Sequence, residues 1–218
     1  MYVEISPRQS GKTTRLISAA VDFLYENRDD SKKIAIVSHN IPSTEHLRIE
    51  IRKGLILKHM TLTGLLEPDP FLIQVVDAIY ATSILKPKLL PSFFYNYEVD
   101  YWFFDEFAYM TPNQLLHPIY GNIIENAYYA TSPSTNNRTI DIITTHCQNN
   151  GIQINFNNPW TEERIQEQSG FNTYFRNEVI GHWLDYMTSH GISIEIKKEN
   201  LINKLIKRHQ FTNGDKKF

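Results

Sequence analysis

Short unbroken apolar runs alternate with stretches of helical periodicity along much of this chain. Residues 2–5 (YVEI) read as a short apolar strand, and Leu16, Ile17, Ala20, Phe23 and Leu24 then recur at helical spacing. They predict a helix from near Thr13 to about Arg28, broken by residues 27–31. Residues 34–37 (IAIV) form a continuous apolar run of the kind buried in parallel sheets, and residues 38–43 lead into a helix over 44–53. Strand, helix, strand, helix is the order of an α/β fold with a mostly parallel central sheet flanked by helices.

The middle of the chain is less regular. Pro68, Pro70, Pro87 and Pro91 divide residues 54–91 into short pieces, with a strand expected over 71–76. Residues 101–104 (YWFF) predict a central strand whose carboxyl end carries Asp105 and Glu106. A helix is expected over 113–129, weakened by Pro118 and Gly121, and the β-branched run 140–145 (IDIITT) predicts another strand. Beyond Gly151 the pattern changes. Residues 161–168 (TEERIQEQ) and 178–187 read as helices, 192–196 as an edge strand, and Leu201, Ile202, Leu205 and Ile206 as a helical stripe. The expected organisation is a core over residues 1–160 and a small C-terminal helical or mixed subdomain, or cover, over 161–218. There is no internal repeat and no low-complexity segment.

Composition narrows the class. A chain of 218 residues, 41% hydrophobic and 21% charged, can bury one good-sized core. Its single cysteine, Cys147, excludes an intrachain disulfide framework, and one Cys beside one His (His146) makes too few ligands for zinc. No stretch approaches the ~20 apolar residues that span a bilayer, so a soluble protein with no membrane partner is expected. The net charge of −2 is uneven: residues 197–218 carry seven basic and two acidic side chains, a local +5. Such a tail can contact phosphates, although a solvated helix face is the commoner explanation.

The chemistry sits between the first strand and the first helix. Residues 6–14 read SPRQSGKTT, where a strand end, a loop, Gly-Lys-Thr and a helix follow in order. Such a loop aims backbone N–H groups at one point, where the helix dipole also favours an anion. A triphosphate such as ATP would be lined by Pro7, Arg8, Gln9, Ser10 and Gly11, with Lys12, Thr13 and Thr14 at the helix start. Lys12 would reach the β and γ phosphates, and the Thr13 hydroxyl would supply one oxygen to Mg²⁺. The usual pattern G-x-x-x-x-G-K-[ST] begins with Gly; here Ser6 stands there, so that residue must avoid strained φ values.

Ligands of open parallel sheets lie beyond the carboxyl ends of the strands, where distant residues converge. Asp105 would hold Mg²⁺, directly or through water, and Glu106 would orient and polarise the attacking water. Arg8 is read as a cation beside the γ-phosphate, a catalytic arginine supplied in cis, in preference to a surface arginine paired with an acid. Thr144 and Thr145 close the expected IDIITT strand.

Three motifs, PRQSGKTT, WFFDEFAYM and IDIITTHCQNNG, in this order, resemble the ATPase domain of the large terminase subunit, the genome-packaging motor of tailed phages. The resemblance covers about residues 2–160 and implies a P-loop NTPase fold of the RecA/ASCE type. It implies Arg8 as the cis catalytic arginine, Glu106 as the catalytic carboxylate, and Thr144 and Thr145 as the element that couples hydrolysis to DNA movement. Double-stranded DNA, a capsid portal and a homo-oligomeric ring are the partners it implies, in the host cell cytoplasm with transient docking on the portal. His146 and Cys147 depart from the family's pattern after Thr145, and the adenine-reading segment that usually precedes the loop has no counterpart. About 58 residues follow Trp160, fewer than the family's nuclease domain needs, so no nuclease is expected. Arg15, Arg138, Arg164 and Arg176 are loose candidates for a second arginine supplied in trans.

Other readings share some of these motifs. A helicase-like ATPase shares the phosphate-binding and acidic motifs but needs a second motor domain. A nucleoside or nucleotide kinase needs an arginine-rich lid. A non-catalytic module that binds ATP to control assembly would not need Lys12, Thr13, Asp105 and Glu106 together.

Overall fold

Val3 and Ile5 face one side of strand β1 (Tyr2–Ile5) while Tyr2 and Glu4 face the other, and both sides are covered. That double covering explains why the neighbouring strands are unbroken apolar runs rather than alternating ones. The computed structural model describes residues 1–30, 32–64, 79–83, 99–117, 121–134, 137–157, 185–186 and 189. The other strands are β2 (Ile34–Ser38), β3 (Ile79–Ser83), β4 (Tyr101–Asp105), β5 (Ala127–Thr131) and the two-residue β6 (Ile154–Asn155). They form one sheet in the order β3-β2-β4-β5-β1-β6, with every pairing parallel. The fold is therefore α/β, with an all-parallel sheet of five main strands and a short edge strand, flanked by helices.

Helices α1 (Lys12–Glu26) and α2 (Ile41–Thr63) cover one face, bringing Leu16, Ala20, Leu24, Leu47, Ile51 and Leu55 against Ile34, Ile36, Phe103 and Ala130. Helix α3 (Arg138–Asn149) and two short 3-10 turns, Phe107–Tyr109 and Pro112–Leu115, cover the other. There Ile140, Ile143, Phe107 and Met110 pack on Val37, Phe104 and Tyr129, whose rings stack at 4.6 Å. Tyr186, one of three residues described beyond 157, is buried in the same cluster.

Strands 2–5, 34–37 and 101–104 lie where the sequence places them, and 101–104 is interior to the sheet. Three expectations are corrected. Residues 140–145 are not a strand but the interior of α3: the Asn137 side chain accepts from the N–H groups of Thr139 and Ile140 at 3.0 and 3.1 Å. Ile140, Ile143, Thr144 and Cys147 then bury one stripe, so capping and helical spacing outweigh β-branched propensity. The helix expected over 113–129 is replaced by the turn Pro112–Leu115 and by β5, an interior strand that supplies the pairing surface for both β1 and β4.

The helix expected over 44–53 is longer at both ends. It begins under an Asn40 cap, whose Oδ1 accepts from Ser43 N at 2.8 Å, and it stops at Gly64, with φ 69°. The strand expected over 71–76, the elements expected over 161–168, 192–196 and 201–206, and most of 178–187 lie outside the described residues. No helix among the described residues is long and apolar enough to cross a membrane.

Gly54 lies inside α2 without breaking it, because α1 crosses there. A Cβ on Gly54 would sit 2.7 Å from Cγ2 of Val21, a buried β-branched side chain with little freedom to move. Gly54→Ala should therefore lower the urea midpoint. The helix-propensity gain of about 1 kcal/mol is outweighed by overpacking of about 1–3 kcal/mol. Restoration of stability by Val21→Ala in the double variant would confirm the contact as the cause.

Candidate functional site

The carboxyl ends of β1, β4 and β5 lie side by side, since β5 pairs with both of the others. The chain leaving β1 turns through Ser6, Pro7, Arg8, Gln9, Ser10 and Gly11 before α1 begins at Lys12. Gln9 and Gly11 take left-handed backbone conformations, φ 61° and 78°, which curl these residues tightly. Ser6 does not, as its place in the motif required. Gly11 caps α1 with no side-chain hydrogen bond, and the first turn of α1 holds no acid of its own to offset the positive end of the helix dipole. Ser10 Oγ is buried and has no hydrogen-bond partner among the described residues. A buried hydroxyl, an uncapped helix start and Lys12 in one loop make an arrangement chemically suited to an anion.

Lys12 Nζ lies 2.7 Å from Glu106 Oε1, with both side chains largely buried. Thr13 Oγ1 donates to Asp105 Oδ1 at 3.2 Å. Glu106 directly follows β4 in a left-handed conformation, φ 55°, which costs about 1 kcal/mol or more for a residue with a Cβ. That turn carries its carboxylate to the end of β5. There Ser132 N donates at 3.0 Å, Ser132 Oγ at 3.1 Å and Thr131 Oγ1 at 3.3 Å. Thr131 Oγ1 also accepts from Ala108 N at 3.2 Å, which ties the segment after β4 to β5.

The two neighbouring acids have opposite electrostatics. Burial and the Glu106 charge push Asp105 up to about 6, against weaker help from Lys12 and the Thr13 hydroxyl. Burial also works against the charge of Glu106. Its partners Lys12 and Ser132 overcome that and hold its carboxyl below the usual carboxylate range. Arg8 reaches across the opening, where Nη2 donates to the Tyr109 hydroxyl at 2.9 Å, and the exposed Tyr109 ring lies 5.6 Å from that of His39.

The residues expected at the site separate into two groups. Lys12, Thr13, Asp105 and Glu106 come together, and Pro7, Arg8, Gln9, Ser10 and Gly11 form the adjoining turn; Thr14 is exposed on the first turn of α1. Thr144 and Thr145 do not join them as a strand end. They lie on α3, about 10 Å along its axis from the Asn137 cap. Thr144 is buried, with Oγ1 bonded to the Asp141 carbonyl at 3.1 Å, and Thr145 is exposed. The strand end that touches Glu106 is instead Thr131 and Ser132, which the sequence reading missed; the run AYYAT bounded by Ser-Pro was its signal. Arg15 is engaged by Glu4 on β1.

Comparison with protein-family models, with curated proteins and with solved structures gives no match.

Asp105 supplies a test of this electrostatic arrangement. Its folded-state value lies above its ordinary one, so its ionisation favours unfolding: the cost is absent below about pH 4 and fully present above about pH 6. With divalent cations chelated, Asp105→Asn should stabilise the fold at pH 7.5 by on the order of 2 kcal/mol, with a much smaller effect at pH 4. Urea unfolding at the two pH values measures the difference.

Proposed function

We propose that this chain is a P-loop ATPase of the DNA-packaging kind, coupling ATP hydrolysis to translocation of double-stranded viral DNA into a capsid. The observation that carries the ATPase part is the convergence of Lys12 and Thr13, at the start of α1, on Asp105 and Glu106 at the end of β4. The packaging part rests on the resemblance of PRQSGKTT and WFFDEFAYM to the terminase motor and takes the capsid portal and a ring as its setting.

The residues fit the groups this reading requires. Thr13 Oγ1 and Asp105 Oδ1 present two hard oxygen donors at one spot, suited to Mg²⁺ that completes its coordination with phosphate and water. Bound there, Mg²⁺ would neutralise charge on the β and γ phosphates. No group of three or more His, Cys, Asp or Glu among the described residues is arranged to hold a metal, so the phosphates are expected to complete this site.

Lys12 is the residue that changes partner in this reading. Its ammonium neutralises Glu106 in the present arrangement and would turn to the phosphates when they bind. Glu106 would remain held by Ser132 and Thr131, keeping one defined orientation as it accepts a hydrogen bond from the attacking water. Arg8, on the Tyr109 hydroxyl, is within the same turn and would move to the γ-phosphate to offset transition-state charge. The coupling role first assigned to Thr144 and Thr145 passes to Thr131 and Ser132, because these touch Glu106.

Phosphate release from ATP with Mg²⁺ tests the reading, with and without double-stranded DNA and portal. Glu106→Gln should bind ATP yet hydrolyse it roughly 10²–10⁴-fold more slowly. Lys12→Ala should lose nucleotide binding. Absence of hydrolysis by the unaltered chain, even with DNA and portal present, would sink the motor reading.

A further inference from the structure

Glu4 is a charged side chain on β1, an interior strand, and it is fully buried. No step proposed above uses it. A carboxylate in that position needs several donors to remain charged. It has them: Ser6 Oγ at 2.7 Å, the Tyr128 hydroxyl at 2.9 Å, Arg15 Nε at 3.2 Å and, in a second contact, Arg15 Nη2. Burial opposes its charge, yet hydrogen bonds from Arg15, Ser6 and Tyr128 hold its carboxyl below the usual range.

The third guanidinium nitrogen does something else. Arg15 Nη1 donates to the Ser10 carbonyl at 2.8 Å, and a Cβ on Gly11 would sit 3.4 Å from that same nitrogen. The guanidinium thus lies against the Ser10–Gly11 peptide while its other edge is fixed on Glu4. In a trans peptide the C=O and the following N–H lie in one plane and point in opposite directions, so fixing one fixes the other.

We propose that Arg15 is a positioning residue for the triphosphate: braced on Glu4, it holds the Ser10 carbonyl and thereby orients the Gly11 N–H towards the bound phosphates. This inference rests on the ATPase reading. An ion pair serving only to dock α1 on β1 needs no contact with Ser10. A finger offered to a neighbouring subunit needs a guanidinium that is not already donating to Glu4 and Ser10. Lysine at position 15 would keep the charge but lose the planar fork that grips both partners.

Calorimetric titration with ATP and Mg²⁺, and separately with pyrophosphate, tests the proposal on the full chain. Arg15→Lys should weaken both ligands by about tenfold, the scale of one charge-assisted hydrogen bond, with kcat changed less than KM. Equal losses for the two ligands place the effect at the phosphates rather than the base. Glu4→Gln, which keeps the shape but loosens the brace, should give a smaller loss of the same kind. Tyr128→Phe removes a different bond to Glu4 without reaching Ser10; it should lower Tm while leaving ATP affinity within about twofold. No binding by the unaltered chain overturns the ATPase reading and this inference with it. Binding that Arg15→Lys leaves within about twofold, or that Tyr128→Phe weakens as much as Arg15→Lys does, overturns the positioning role alone.

Discussion

Two carboxylates and one ammonium are buried together at the carboxyl edge of the sheet, and one cation cannot neutralise both. The backbone decides which acid it serves. Glu106, in its left-handed conformation, turns towards Lys12 and the end of β5, where Ser132 and Thr131 supply further donors. Asp105, still in register with Ala130 on β5, receives the Thr13 hydroxyl and little else. One acid therefore remains charged while its neighbour is driven up to about 6. Pairs of titratable groups pushed apart in this way are how a site gives two similar side chains different tasks. In the proposed function, the acid short of positive charge is the one that would gain a divalent cation, and the acid rich in donors is the one held still beside water.

The same arrangement requires β5 to lie between β1 and β4. Without that strand, Glu106 would leave β4 facing the Lys12 loop with no second anchor. The chain instead pairs β5 to both neighbours, so the Thr131 carbonyl accepts from Ser6 N at 3.1 Å while its hydroxyl reaches Glu106 and accepts from Ala108 N. The left-handed strain at Glu106 persists because these contacts and the turn bond from Tyr109 N to the Glu106 carbonyl, 3.0 Å, over-determine it.

Sequence reading picks out most of the residues that converge at the candidate site because strong local patterns carry them: a Gly-Lys-Thr at a helix start, and an apolar strand that ends in two acids. It fails where local propensity and tertiary demand conflict. The IDIITT run favours a strand by composition, but Asn137 caps it and its buried positions repeat at three and four residues, so it folds as α3. The helix expected over 113–129 takes in the first three residues of AYYAT, so the strand end at Thr131 and Ser132 is missing from the predicted site. The helix expected over 44–53 stops short of Gly54, which is in fact a point of close approach between two helices, and only the position of Val21 reveals it.

Ser6 was the one departure from the phosphate-loop pattern, and Glu4 explains it. Glycine is needed where φ is positive or where a Cβ has no room; Ser6 meets neither condition, and the left-handed positions of the turn are Gln9 and Gly11. Its hydroxyl instead donates to Glu4 at 2.7 Å and accepts from Asn157 N at 3.1 Å, joining β1 to the segment that leaves β6. A glycine there would remove a donor from a buried carboxylate and leave a partly buried N–H without its acceptor, a loss of about 1–3 kcal/mol for each group left unpaired. The unusual first residue of the motif and the unusual acid two positions earlier are thus one feature. Glu4 also binds Arg15, whose remaining donor rests on the Ser10 carbonyl, so the chain of contacts from Ser6 through Glu4 to Arg15 links the entrance of the turn to its centre.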